Sequence, residues 1–460
     1  MRLLRHLVPM YLLMFGFTTQ CAVEGGGVGW LQVSPLEAGV PNQYRDLYYT
    51  LDSKLGDILS YVNSQWDGKT HAMNFASELI AANGHRGEEL LKPDSVQGVA
   101  FMIDRLKSLG VKGVKVAVKY PLLRPDFPNS NGYLEFYKKV SQEVKKRSLV
   151  LYVATGTAFR DPAFTSLRVD YSGLTFGQFK LDMRQYVDTV LNNLQPDYLT
   201  ITNEPETQEM NTGLDFSVQN VKELVEYVLD GLDRKGALIG AGSGTWDKIE
   251  YFQALAQIPG LDYLDMHIYP INRDFVVDRA FRMAEIVKTS KKKLVLSEAW
   301  LYKVRDKELG TATATSAQLF ARDVFSFWAP LDERFVETVA KLAHLLRIEF
   351  CSFFWMQYFY SYLEYDEQKN AMKPAQLFAL VNSEAAKNIL SNTLSTTGAR
   401  FKSLIATMST ETQSYRTTTT ETPPRQEPAL VRQLLVGIIA IVAISAVVVA
   451  TVTYFRRKKR

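Results

Sequence analysis

Short apolar runs of the kind that form buried strands alternate with longer segments of helical period between residues 70 and 356. This alternation is typical of a parallel sheet whose strands are joined by crossover helices. Eight runs in about 290 residues favour a closed (β/α)8 barrel over an open doubly wound sheet, since open sheets usually have fewer strands. The sequence therefore predicts an α/β fold of the TIM-barrel type. The predicted strands cover residues 70–75, 113–119, 148–154, 197–203, 236–242, 261–268, 292–298 and 348–355.

The segments between these runs have the apolar period of amphipathic helices, and each apolar stripe can cover one part of a sheet. One such stripe consists of Phe179, Met183, Tyr186, Val190 and Leu194. We expect residues 44–62 to form a helix that covers one end of the barrel and residues 371–394 to form the last outer helix. The barrel domain is thus predicted to span 70–400, preceded by an extension, 23–69, that carries the covering helix.

Both ends of the chain carry hydrophobic segments outside the barrel. Residues 1–22 begin with Arg2 and Arg5 and continue into an apolar run, an arrangement typical of a secretory signal peptide. The cleavage site is poorly marked, because 19–22 lacks the small-x-small pattern, so an uncleaved anchor stays open as an alternative. Residues 434–455 contain no charged side chain. Their 22 residues, at about 1.5 Å each, span roughly 33 Å, which predicts a transmembrane helix.

Polar segments flank the predicted transmembrane helix. Residues 456–460 are all basic and should stay in the cytoplasm, because positively charged loops resist translocation. Residues 401–433 are rich in Thr and Pro and too polar to bury a core, so we interpret them as a stalk. The prediction is a single-pass cell-surface protein whose folded domain lies outside and which has the lipid bilayer as a partner.

The charge balance argues against a nucleic-acid partner. The chain of 460 residues has 53 basic and 49 acidic side chains, a formal charge of +4, and its last five residues are all positive. Two cysteines cannot form a disulfide framework. We interpret Cys351 as a buried structural thiol, while Cys21 lies in the predicted signal peptide. The histidines and cysteines are not spaced along the sequence as the ligands of a metal site are.

Acidic side chains stand where two of the predicted strands end. Glu204 follows the fourth strand in the run Thr-Asn-Glu-Pro, where Pro205 prevents further pairing, and Glu298 ends the seventh strand in Ser-Glu-Ala-Trp. In a TIM barrel the C-terminal strand ends carry the catalytic groups, so these two carboxylates indicate an acid/base pair. The further candidates for a substrate site are Asn203, His267, Tyr269, Trp300, Trp355, Lys115 and Trp246.

A carboxylate pair of this kind suits the cleavage of a glycosidic bond. The reaction needs a protonated acid on the leaving oxygen and a second carboxylate that attacks the anomeric carbon or activates water. An ionised carboxylate raises the pKa of its neighbour, because two like charges at short range disfavour ionisation. We expect Tyr269 to hydrogen-bond the nucleophile, Asn203 to hold a sugar hydroxyl beside the reacting carbon, and Trp355 to offer a flat face to a sugar ring.

The motifs at the ends of strands four, six, seven and eight are Thr202-Asn203-Glu204-Pro205, His267-Ile268-Tyr269, Ser297-Glu298 and Trp355. Together they resemble glycoside hydrolase clan A, within which glycoside hydrolase family five is the most similar. The resemblance implies a retaining O-glycoside hydrolase that cleaves a β-linked polysaccharide or oligosaccharide. It implies Glu204 as acid/base, Glu298 as nucleophile, and no metal or organic cofactor.

Two positions depart from family five. That family usually carries an arginine near the end of strand two, where this chain has Lys115 and Lys119, and a histidine after strand three, where it has Ala154-Thr155-Gly156. A lysine keeps the charge but loses the bidentate geometry of arginine. The run 297–300 is also similar to the endo-galactanase and β-1,3-glucanase families of the same clan, so the resemblance is to the clan more than to one family.

Each candidate also has a purely structural interpretation. Glu204 could be an exposed loop residue beside Glu206 and Glu209, and His267 could be a core histidine with satisfied hydrogen bonds. The aromatic residues that could either line subsites or pack in the core are Trp246, Phe159, Tyr302, Tyr358 and Trp355. At the level of function, the alternative is a non-catalytic cell-surface protein that binds glycans on the same scaffold.

Overall fold

The computed structural model describes residues 39–162, 164–269, 274–308 and 316–409. The predicted signal peptide 1–22, the transmembrane segment 434–455 and the basic tail 456–460 lie outside these ranges. Among the helices of the described residues, none combines the length and the apolar character that a membrane crossing requires.

Eight strands form the centre of the molecule: β1 (Asn74–Glu78), β2 (Gly113–Tyr120), β3 (Val150–Thr157), β4 (Tyr198–Thr200), β5 (Leu238–Gly244), β6 (Tyr263–Ile268), β7 (Lys293–Ala299) and β8 (Phe350–Phe353). They pair in chain order, every pair is parallel, and β8 closes on β1. The predicted (β/α)8 barrel is therefore confirmed.

The helices are α1 (Asn42–Gln65), α2 (Ser95–Ser108), α3 (Ser130–Lys146), α4 (Phe176–Leu194), α5 (Pro205–Thr212), α6 (Val218–Leu229), α7 (Ile249–Ala256), α8 (Ala280–Ser290), α9 (Ser316–Phe320), α10 (Ala329–Leu345), α11 (Glu367–Asn370), α12 (Pro374–Ser391) and α13 (Thr396–Met408). The predicted stripe on α4 is buried, and Thr175 caps that helix by accepting a hydrogen bond from the Gln178 N–H at 3.2 Å. Amphipathic helices of this kind cover the outside of the barrel.

The inside of the barrel is layered, because every second residue of a strand points inward. Aromatic rings fill the lower layer, where Tyr152 stacks on Phe350 with ring centroids 5.0 Å apart and Tyr198 meets Tyr263 edge-on at 5.5 Å. Above them the inward side chains become polar. The Tyr152 hydroxyl donates to Asp265 at 2.8 Å, so the aromatic layer is hydrogen-bonded directly to the polar layer above it.

The first strand begins four residues later than predicted, at Asn74 instead of residue 70. The polar groups of the preceding segment bond within the segment or to the base of the barrel instead of to a strand. The Trp66 indole donates to the Lys69 carbonyl at 2.9 Å, and the His71 N–H donates to the His344 ring at 3.3 Å. The backbone hydrogen bonds that pair β1 with its neighbouring strands therefore start only beyond His71.

The prediction that residues 44–62 cover one end of the barrel is wrong. Helix α1 lies on the outer wall beside α10, since Arg334 donates to Asp52 at 2.5 Å and Lys341 donates to Asn63 at 2.9 Å. The two helices run in the same direction, and the buried stripe of α1 packs sideways. The amphipathic pattern gave the helix but not the surface that it covers.

The last helix, α13, lies on the barrel where a stalk was predicted to begin. Phe401, Leu404 and Ile405 are buried, so the predicted domain boundary at residue 400 falls inside this helix. Gly398, near the start of α13, lies against Phe359, which follows β8, and Ile405 lies against Gly110, which precedes β2. Helix α13 therefore runs from the mouth of the barrel, where the strands end, to its base, where they begin.

Candidate active site

Glu204 is presented by an abrupt change from strand to helix. Strand β4 ends at Thr200, and α5 begins at Pro205, whose missing N–H is no loss at a first helical position. Glu204 itself has φ 46° and ψ 66°, the left-handed region, which costs a non-glycine residue about 1 to 2 kcal/mol. The Gln208 amide on α5 donates to the Asn203 carbonyl and stabilises this turn. A costly conformation held by specific bonds aims the carboxyl group into the mouth.

Glu298 lies on β7, opposite His267 on β6, at a point where the register of the two strands shifts. A carboxyl oxygen of Glu204, a ring nitrogen of His267 and a carboxyl oxygen of Glu298 all lie within 4.8 Å of one another. The structure thus brings together the two glutamates predicted from the strand ends. Retaining glycosidases have carboxyl groups about 5 to 5.5 Å apart, whereas inverting enzymes leave about 6.5 to 9.5 Å for a water molecule.

Glu298 is surrounded by proton donors. The Lys115 ammonium contacts Oε1, the Tyr269 hydroxyl donates to Oε2 at 2.7 Å, and His267 Nδ1 lies 3.5 Å from the same oxygen. Burial on its own would raise the pKa of Glu298, but the charges of Lys115, His267 and Lys119 outweigh it and hold that pKa well below the usual range. Glu298 is therefore an ionised carboxylate over the whole neutral range of pH.

His267 joins the two glutamates to the polar layer below. Its Nδ1 lies 2.6 Å from Glu204 Oε1, and its Nε2 lies 2.9 Å from Ser297 Oγ and 3.3 Å from Asp265 Oδ2. Burial alone lowers the pKa of His267, but the charges of Glu298 and Asp265 and the hydrogen bonds raise it to about 10. The imidazolium therefore donates from both nitrogens, to Glu204 on one side and to Ser297 on the other.

Glu78, at the end of β1, is a site residue that the sequence analysis missed. It is fully buried, accepts a hydrogen bond from Asn83 Nδ2 at 2.5 Å, and places Oε2 3.6 Å from the Lys115 ammonium. Burial raises the pKa of Glu78 to about 7 although Lys115 opposes the change. The available signal was a Ser-Glu pair at a strand end, as at Ser297-Glu298, but the predicted strand stopped at residue 75.

The predicted aromatic subsites separate into two groups. Trp246 is half-buried and meets Tyr269 edge-on at 5.7 Å, and Trp355 is half-buried beside Phe320 at 5.8 Å, so both stand at the mouth. Trp300 is only 1% exposed and stacks on Tyr358 at 5.6 Å. The segment after β8 covers Trp300, so this residue belongs to the core and not to a substrate surface.

The remaining candidates lie next to Glu204 and Glu298 or in the loops around them. Asn203 is almost buried, with Nδ2 3.4 Å from His267 Nε2. Phe159 stacks on His85 at 4.3 Å, and Tyr302 stacks on Phe320 at 4.9 Å, in the loops above β3 and β7. Cys351 is buried and free, as predicted.

Glu204, His267 and Glu298 are close enough together to hold a metal ion. The donors around them suit a different role, because Lys115, Tyr269 and the His267 imidazolium already direct positive charge or protons at the carboxyl oxygens. A divalent cation would have to displace these donors. The arrangement is suited to moving protons and to stabilising one carboxylate anion.

No family model and no curated protein matches the chain. Among solved structures it is similar to an exo-β-1,4-mannosidase from Opitutaceae bacterium strain TAV5 (TM-score 0.46, 13% identity, 75% of this chain and 61% of the mannosidase). It is also similar to Thermotoga maritima Cel5A in complex with cellobiose (TM-score 0.41, 13% identity, 62% of this chain and 89% of the other). A third similar structure is the family 1 β-glucosidase from Thermotoga maritima (TM-score 0.40, 10% identity, 62% and 88%).

Identities of 10 to 13% and TM-scores below 0.5 are too low to assign an activity. The barrel is established by its strand pairing.

Proposed function

We propose that the chain is a membrane-anchored extracellular retaining glycoside hydrolase that cleaves β-glycosidic bonds of a polysaccharide or oligosaccharide. The observation that carries the proposal is that one carboxyl oxygen of Glu204 and one of Glu298 lie within 4.8 Å of each other. The two carboxyl groups have different hydrogen-bond donors around them. Glu298 is kept ionised by Lys115 and Tyr269, while Glu204 shares a hydrogen bond with a protonated histidine. A nucleophile and a proton donor need this difference.

In the first step of the proposed reaction, the Glu298 carboxylate attacks the anomeric carbon as the bond to the leaving oxygen breaks. The Glu204–His267 pair holds the required proton and delivers it to that oxygen through Glu204. In the second step a water molecule gives its proton to the same pair and its oxygen to the anomeric carbon, and Glu298 leaves as a carboxylate. Two inversions at one carbon retain its configuration.

The alternative from the sequence, a glycan-binding protein without activity, has less support. Binding a sugar does not require two carboxyl groups within reach of one anomeric carbon, nor a lysine and a tyrosine that keep one of them ionised. Burying a charge is unfavourable, and a surface that only binds a sugar does not require such buried charges.

The extracellular, membrane-anchored part of the proposal rests on the sequence of residues 1–22, 401–433 and 434–460. Protease treatment of intact cells tests it: external protease should remove the barrel domain and leave a short fragment with the basic tail in the membrane. A barrel domain protected in intact cells and cut only after lysis would contradict this orientation.

The activity is tested with the full-length chain, purified in detergent, against β-glucans, mannans, xylans and galactans. Proton NMR of the first minutes of hydrolysis should show the β-anomer of the product before mutarotation. An α-anomer as the first product would contradict the retaining mechanism. No hydrolysis of any β-linked glycan, including the acidic ones introduced below, would favour the binding protein.

A further inference from the structure

Lys119 is a cation of the barrel mouth that the proposed reaction does not use. It lies on β2 four residues beyond Lys115, so the two share the inward face of the strand, with Lys119 nearer the mouth. The side chain is half-buried. Its positive charge acts on Glu298, because Lys119, together with Lys115 and His267, holds the pKa of Glu298 low against the opposing effect of burial.

The ammonium of Lys119 has no hydrogen bond or ion pair within the part of the chain that the structure describes. The other inward lysine of this strand, Lys115, contacts Glu298 and lies 3.6 Å from Glu78. A partly buried cation without a direct ion pair is unfavourable, and an anion that binds beside it would relieve that cost. Lys119 is therefore available to a ligand in a way that Lys115 is not.

The strand beside Lys119 places no side chain against its ammonium group. Gly156 on β3 is the register partner of Lys119, and its backbone is not in the left-handed region that favours glycine. A Cβ atom at this position would lie 3.5 Å from Asn203 Oδ1 and 3.8 Å from Lys119 Nζ. Such a Cβ atom would be in van der Waals contact with both groups, so the missing side chain leaves a methyl-sized gap that exposes Lys119 Nζ and Asn203 Oδ1 to one another's side of the pocket.

We infer that Lys119 and the gap at Gly156 form a subsite for an anionic group on the sugar bound at the glutamate pair. This inference rests on the proposed function and deepens it: the substrate is an acidic β-linked glycan, with a uronic acid carboxylate or a sulfate ester beside the cleaved bond. Lys119 binds that anion, while Asn203 and Glu298 bind the neutral part of the same sugar. His85, near Lys119, stays neutral because burial and Lys119 both keep its pKa well below the usual range.

The test compares each acidic glycan with the neutral glycan made from it. Polymannuronate is paired with its carboxyl-reduced form, and a sulfated β-galactan with its desulfated form, so the two arms distinguish a carboxylate from a sulfate. For the full-length protein in detergent, kcat/KM and calorimetric Kd should favour the acidic member of at least one pair by about 10- to 100-fold, the size of one charged hydrogen bond.

Three variants make the comparison specific. Lys119→Met should remove the preference, Lys119→Arg should keep most of it, and Lys112→Met, at an exposed residue immediately before the same strand, should leave it unchanged. Thermal unfolding of each variant checks that the barrel is folded. The readout is the acidic-to-neutral ratio, which a general weakening of Glu298 would not change.

The binding arm decides the inference even without turnover. Equal affinity for both members of each pair, or a preference that survives in Lys119→Met, would overturn the anionic subsite. An acidic preference in binding that depends on Lys119, together with no hydrolysis, would keep the subsite and reject the hydrolase. Hydrolysis of the neutral members at equal or higher rates would keep the hydrolase and reject the subsite.

Discussion

Two lysines of this barrel are buried between two carboxylates, and comparing them separates function from stability. At the mouth, Lys115 contacts Glu298 and lies 3.6 Å from Glu78. In the loop after β7, Lys303 contacts Asp332 on α10 and lies 3.4 Å from Asp323. Both lysines are fully buried. The same three charges therefore occur twice, at a similar cost in desolvation.

The two clusters differ in what surrounds the near carboxylate. Asp332 is 1% exposed and its second oxygen accepts from Tyr362 at 2.9 Å, whose hydroxyl also meets Thr397 on α13. Glu298 is 9% exposed, and its second oxygen faces Tyr269 and His267. The enclosed cluster of Lys303, Asp323 and Asp332 has a structural role, since it holds together α10, α13 and the loop after β7. The open cluster can meet a substrate.

The largest effect that we expect comes from the open cluster. Glu298→Ala should lower kcat by at least about 10⁴-fold, because the proposed covalent intermediate forms on this carboxylate, while sugar binding measured by calorimetry is largely kept. Glu206→Ala, an exposed carboxylate two residues from Glu204, is the matched control and should keep full activity. Undiminished turnover in Glu298→Ala would remove this residue from the mechanism.

The enclosed cluster should respond in stability instead. Lys303→Met leaves Asp332 and Asp323 buried without their cation, so the free energy of unfolding in denaturant should fall by about 3 to 5 kcal/mol. The kcat of the molecules that remain folded should be unchanged, because none of these groups reaches the mouth. A variant that unfolds like the wild type but has lost turnover would mean that the loop after β7 positions the site.

Lys115→Met should lower turnover less than Glu298→Ala and in a way that depends on pH, in addition to the loss of stability expected when Glu298 and Glu78 lose their buried cation. Glu298 must be ionised to react, and its low pKa keeps it so in the wild type. Without Lys115 that pKa rises, so the acid limb of kcat/KM should move to higher pH by about one unit or more, with little loss above the new pKa. An unmoved acid limb would show that His267 and Tyr269 suffice to keep Glu298 ionised.

The sequence was sufficient for the seven strands from β2 to β8, because each of them is buried on both faces and reads as a short apolar run. It also placed Glu204 and Glu298 together, since parallel strand ends meet at one edge. It failed at β1, whose residues Asn-Phe-Ala-Ser-Glu contain no β-branched side chain, and so Glu78 was missed.

The burial of Trp300 could not be predicted from the sequence, because its covering residues, Tyr358 and Phe359, come from another loop. The same holds for Lys115. A lysine in an apolar strand has no sequence signal that names its partners, and only closure of the barrel brings it to carboxylates on β1 and β7. Patterns along the chain predict elements, while contacts between distant elements require the three-dimensional structure.

The direction of α13 has a consequence for how the enzyme would face its surroundings. This helix starts beside Phe359, above the strands, and finishes with Ile405 against Gly110, below them. In the anchored arrangement proposed above, the tether joins the underside of the cylinder. The opening with Glu204 and Glu298 would then lie at the end of the cylinder opposite the tether, so the attachment would leave it uncovered.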